Sequence, residues 1–132
     1  LKYRATKGQE EKFKEKTAEY TGYCWRQKNL SLRVIRTVSE LMKWSQRFCN
    51  CSHGYVDSVA NGSSLLCVIV DVRHPKQAYF MLDYNVLTHT ISQCRGYHNY
   101  MSMKDDPQVA EFCRKWLEYV DKKEALRMRG AA

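Results

Sequence analysis

The chain has no apolar run long enough to cross a membrane. Its longest, Leu65 to Val70, spans six residues, where about 20 are needed, so we expect no membrane partner. The opening Leu-Lys-Tyr-Arg has none of the apolar core of a secretory signal. Internal repeats and low-complexity stretches are missing, and there are only two prolines, which excludes solenoid, collagen-like and linker architectures. What is present argues for a packed core: the residues are 44% hydrophobic and 12% aromatic, too apolar for a disordered chain. At 132 residues the chain is one domain in length and can bury roughly two-thirds of its unfolded surface without a staple. It opens on Leu1 rather than Met, from which we expect a trimmed start or a fragment of a longer protein.

Six cysteines are enough for three disulfides, but two sit where a thiol behaves as a small hydrophobe: Cys67 inside the apolar run and Cys113 on the apolar face of a predicted helix. With no secretory signal, reduced thiols in a cytoplasmic protein are the expected state. That leaves Cys24, Cys49, Cys51 and Cys94 for other chemistry.

Net charge is +8, and it is unevenly spread: residues 1–50 carry twelve Lys/Arg against five Asp/Glu, and residues 51–132 carry ten against nine. A concentrated positive field raises the local concentration of polyanions and speeds their capture. Glu10, Glu11, Glu15 and Glu19 interleave with the bases, as they do on a merely solvated helix face.

Residues 7–20 have the spacing of a polar helix anchored only by Phe13 and Tyr20, a composition that predicts weak packing. Leu30, Leu32 and Val34 alternate with polar residues as a short half-buried strand. Thr37 or Ser39 caps a helix to about Phe48, whose inner face carries Val38, Leu41, Met42, Ser45 and Phe48, with Trp44 at the margin. A short helix is expected over Tyr55 to Ala60. Leu65 to Val70 is a strand covered on both faces. Ala78 to Tyr84 and Thr88 to Cys94 follow as its partners, joined by turns short enough for an antiparallel meander. Asp105-Asp106-Pro107 starts a final helix, in which Val109, Phe112, Cys113, Trp116, Leu117 and Val120 share one face.

The fold class is therefore α+β: a small antiparallel β-meander packed against a C-terminal amphipathic helix, with N-terminal helices. We expect a basic polar helical segment at 1–29, the α+β domain at 30–127 and a tail at 128–132. The core should draw on Leu41, Phe48, Leu66, Val68, Val70, Phe80, Leu82, Ile91, Phe112, Trp116 and Val120.

Two polar clusters flank the meander: Cys49-Asn50-Cys51-Ser52-His53-Gly54-Tyr55 and Gln93-Cys94-Arg95-Gly96-Tyr97-His98-Asn99. The order Leu-x-Leu-x-Val-x-Arg-Thr-Val-x-Glu-Leu, then Cys51-x-x-Gly54-Tyr55-x-x-x-Val59-x-x-Gly62, then three strands ending Gln93-Cys94-Arg95-Gly96-x-x-Asn99 resembles the PcfJ-like family over about residues 30–120. The resemblance implies a setting on conjugative plasmids and phages. It also implies a His-His pair before the cysteine, where this chain has Cys49 and Asn50, and a small residue where it has His53.

The clusters admit three chemistries. Cys49, Cys51, His53 and Cys94, with His98 near them, are ligand types that zinc prefers, so zinc is the one cofactor to consider; otherwise none is expected. A cysteine-dependent enzyme would use Cys51, activated at a helix start, with His98 or His53 as base and Asn99 orienting it. Binding would use Arg95 beside Gly96, where a guanidinium fork holds phosphate or carboxylate, with Gln93, Asn99, Tyr55, Tyr97, His98 and Tyr100 nearby to bond or stack on bases. Arg95 paired with Asp57 is the bland alternative. The expectation we carry forward is a nucleic-acid-binding accessory protein of a mobile genetic element, its DNA or RNA partner held by a basic surface. A protein-binding inhibitor or adaptor acting on host or transfer machinery is the first alternative, and the Cys51 enzyme the second.

Overall fold

The computed structural model describes residues 4–131; Leu1 to Tyr3 and Ala132 lie outside it, and with them the opening of the chain and the end of the tail. Element order is α1 (Lys7–Ala18), β1 (Trp25–Gln27), β2 (Leu30–Val34), α2 (Val38–Phe48), α3 (Val56–Ala60), β3 (Ser64–Asp71), β4 (Phe80–Asn85), β5 (Thr90–Arg95) and α4 (Pro107–Ala131). The five strands form one antiparallel sheet in chain order. This is the α+β meander with its C-terminal helix and N-terminal helices.

Strand alternation divides the core in two. Leu65, Cys67, Ile69, Phe80, Leu82, Tyr84 and Cys94 point to α4, meeting Val109, Phe112, Cys113, Trp116 and Val120. Leu66, Val68, Val70 and Met81 point the other way, meeting Phe13, Val38, Leu41, Trp44, Phe48, Val56 and Val59 of α1, α2 and α3. Cover on both faces is why β3 is apolar at every position from Leu65 to Val70. The caps work as their sequences imply. Thr37 Oγ1 accepts from the Glu40 N–H at 3.1 Å. Asp106 Oδ1 accepts from the N–H groups of Gln108 and Val109 at 3.0 and 3.2 Å, with Pro107 at the first helical position.

The structure corrects five expectations. The sheet has five strands rather than the four expected, because Trp25–Gln27 pairs with β2 through a two-residue turn in which Lys28 adopts a left-handed φ of 54°. The expected boundary between residues 29 and 30 thus falls inside a hairpin, and Tyr20 and Tyr23 are buried in the α4-side core. Polar α1 is firmly seated: Phe13 and Thr17 are fully buried, and Thr17 Oγ1 lies 2.9 Å from both Phe13 O and Arg36 O. Trp44 belongs to the inner face of α2, with Arg47 over its ring at 5.0 Å, whereas Met42 is only partly buried. Ile91 is only partly buried, because β5 is an edge strand. Finally, α4 continues through the expected tail, its apolar stripe ending at Val120 and its later Leu126 and Met128 exposed.

Candidate functional site

Strand β4 and the edge strand β5 build a polar site on the α1–α3 side of the sheet. Asp83 lies opposite Gln93 and Met81 opposite Arg95, so Arg95 is the diagonal neighbour of Asp83 on one face. A bulge shapes this face. Tyr84 pairs with Ile91 while Asp83 pairs with Gln93, leaving Ser92 as the extra residue. Ile91 and Cys94 both pack toward α4 for that reason, and Gln93 and Arg95 are aimed the other way.

The α2–α3 junction supplies the opposite wall. Cys49 ends α2 in a left-handed conformation with φ 52°, the usual device for turning a chain out of a helix. Asn50 is then pinned: its Oδ1 accepts from the Ser52 N–H at 3.1 Å, its Nδ2 sits 3.7 Å from Met81 Sδ, and its backbone O accepts from Ser45 Oγ at 2.8 Å. A 3-10 turn over Ser52–Tyr55 brings Tyr55 in. The third wall is the loop after β5. Gly96 N–H donates to Met101 O at 2.9 Å and Asn99 N–H to Gly96 O at 3.1 Å. A Cβ at Gly96 would lie 3.2 Å from Tyr79 O, so glycine allows the close approach. His98 and Asn99 are consecutive left-handed residues with φ 57° and 60°. Such backbone costs on the order of 1 kcal/mol or more per residue and gathers at functional sites.

Asn50, Tyr55, Leu66, Met81, Asp83, Gln93, Arg95 and Asn99 together line a cavity of about 40 Å³. Arg95, Gln93 and Asn99 are exposed at its mouth, and Asp83 is at its floor. Asp83 is 9% exposed, and its Oδ1 has no hydrogen-bond partner. Burial pushes this carboxyl above the ordinary carboxylate range. In the loop on either side of Asn99, the His98 and Tyr100 rings stack at 5.2 Å and 12° and Tyr97 meets His98 edge-on at 5.0 Å, with Tyr97 51% and Tyr100 78% exposed. The Cys49 thiol beside the Tyr97 hydroxyl raises that phenol by hydrogen bonding and charge.

Of the residues expected to bind, Tyr55, Gln93, Arg95 and Asn99 come together in the cavity, and Gly96 and Tyr97 border it. Arg95 does not pair with Asp57, which instead accepts from Gln9 Nε2 of α1 at 2.8 Å. The four expected zinc ligands are not brought together. Cys94 is buried on the α4 side with its Sγ 3.9 Å from that of Cys113, and this contact and burial raise its pKa. Cys49 and Cys51 are exposed at the α2–α3 junction, and His53 Nδ1 lies 3.5 Å from Ser45 Oγ. Among the described residues no three His, Cys, Asp or Glu side chains form a metal-holding group. For the thiol chemistry, Cys51 is outside the cavity lining and precedes a 3-10 turn and a helix of only five residues, a short source of helix dipole. His98 stacks on Tyr100 and is not among the residues lining the cavity.

Sequence reasoning missed Asp83 and Asn50. The signal for Asp83 was there to find: a carboxylate between Leu82 and Tyr84 in the middle of a strand, where aspartate is disfavoured.

A family model described as PcfJ-like protein matches residues 1–111. The chain belongs to this family. The match takes in every residue lining the PcfJ-like chain's cavity and ends within the first half of α4. Among curated proteins and solved structures, nothing matches it. Among the described residues, no helix is long and apolar enough to cross a membrane.

Proposed function

We propose that this PcfJ-like protein serves a phage or conjugative plasmid as an accessory protein that binds nucleic acid, gripping a single strand at the mouth of the Asp83 cavity. One observation carries the reading: an exposed arginine lines a pocket of hydrogen-bonding side chains, and the loop that brings Asn99 to it carries three rings in contact, Tyr97, His98 and Tyr100. Bases stacked on such rings gain about 1–3 kcal/mol each, with little regard to sequence. The Arg95 guanidinium suits a phosphate on the adjoining backbone. The loop lies against the end of α2, whose last turn carries Arg47. The +8 chain, with its bases concentrated in the first fifty residues, adds the sequence-independent attraction.

Fluorescence anisotropy with labelled single- and double-stranded DNA and RNA, read from low to physiological salt, tests this. Single strands should bind and weaken steeply with salt, and Arg95→Ala should weaken them by about tenfold while its circular dichroism matches the parent. No binding at low salt contradicts the reading. Salt-insensitive capture of a protein partner would favour the adaptor alternative instead.

A further inference from the structure

Resting on that nucleic-acid reading, we propose that the Asp83 cavity is a base-edge subsite selective for guanine. A buried acceptor with no donor in the fold calls for donors from a ligand. Asp83 Oδ1 is such an acceptor, on a residue that lines the cavity. The cavity is too small for a whole base ring but takes a base's edge, at about 40 Å³. The ring itself would rest at the mouth, beside the exposed His98–Tyr100 stack.

The arrangement on the sheet decides which edge. Asp83 offers acceptors at the floor, and its diagonal neighbour Arg95 offers donors toward the mouth. Guanine presents two adjacent donors, the N1–H and the 2-amino group, with the O6 acceptor next to them. The pair of donors meets the two carboxylate oxygens and O6 meets the guanidinium. Adenine and cytosine bring one amino donor beside a ring-nitrogen lone pair, which would face a carboxylate oxygen. Uracil and thymine flank a single N–H with carbonyls, which is worse. Arg95 also argues against a cation on Asp83, since a guanidinium at the rim opposes it.

The test uses the full chain and labelled dT oligonucleotides in which every third base is guanine, inosine, adenine or cytosine, read by anisotropy at fixed salt. The guanine strand should bind about tenfold tighter than the adenine and cytosine strands, with inosine, which lacks the 2-amino group, in between. In Asp83→Asn the guanine-to-adenine ratio should fall to within about twofold. The inosine comparison needs no variant and stands even if Asp83→Asn folds poorly. Equal affinity for guanine and inosine strands, or an unchanged ratio in Asp83→Asn, overturns the guanine subsite. Salt-sensitive binding of all strands alike overturns the subsite and leaves nucleic-acid binding standing, whereas no binding of any strand at low salt removes both.

Discussion

Replacing Trp116 with alanine is expected to cost about 3–5 kcal/mol and to lower the melting temperature by about 10–20 °C. Trp116 is fully buried in the middle of the α4 stripe. Its indole N–H donates to Tyr23 O at 2.9 Å, and its ring meets Tyr84 of β4 and Tyr23 edge-on at 5.4 and 6.2 Å. One side chain therefore ties the long helix both to the sheet centre and to the segment before β1. Alanine removes the ring contacts, leaves a cavity the neighbouring rings cannot fill, and strands a buried carbonyl. The hydroxyl of Tyr23 bonds Glu124 about two turns further along α4, and burial together with that carboxylate pushes the phenol up. Losing Trp116 should loosen this contact as well. Leu126→Ala, at an exposed position of the same helix, should stay within about 0.5 kcal/mol. Thermal melts followed by circular dichroism check both. A Trp116→Ala melt within a few degrees of the parent would contradict the role given to α4.

Asparagine at position 83 should do the opposite and stabilise the fold at neutral pH, by about 1–3 kcal/mol, or about 4–10 °C. The folded state holds the Asp83 carboxyl above its ordinary value because burial penalises the charge. As pH rises from about 4, the ordinary aspartate value, the unfolded chain releases its proton first. The folded state then binds more protons than the unfolded one, and stability falls with pH until the folded-state carboxyl also ionises. Below about pH 4 both states are protonated and the asparagine variant should show little gain. Its gain should open through the window above that and level off once the raised pKa is passed. Melting temperatures of the two proteins against pH give this difference directly, since other groups cancel. A destabilised Asp83→Asn at neutral pH would mean that the carboxylate is already satisfied within the fold. A site that gains stability when its central residue is blunted is one kept for binding.

How much of this was legible in sequence differs by element. The double cover of β3 could be read from an unbroken apolar run, and α4 from an i, i+3, i+4, i+7 stripe behind Asp106-Pro107, because periodicity and caps are local signals. Strand β1 was not legible: Trp25-Arg26-Gln27 is too short to show alternation, and its turn, Lys28-Asn29, lacks the Asn-Gly or Asp-Gly mark of a tight hairpin. The seating of α1 rests on two side chains, Phe13 and Thr17, which a composition-based reading underweights. For the site, the loop motif gave Gln93, Arg95 and Asn99, and the α2–α3 junction gave Tyr55. Asp83 escaped because its importance lies in pairing across β4 and β5, which no local pattern shows. Cys94 misled because it neighbours Gln93 and Arg95 in sequence yet points to the other face, a consequence of strand alternation past the bulge at Ser92.

The most direct test of the central claim is a titration of the isotope-labelled protein with a single-stranded oligonucleotide, followed by backbone amide NMR shifts. The account predicts that the shifts gather at residues 49–55, at Asp83 and at residues 93–100, the three walls of one cavity. Shifts confined to the outer face of α4, where Arg114 pairs with Glu111 and Glu118, or no shifts anywhere, would contradict it.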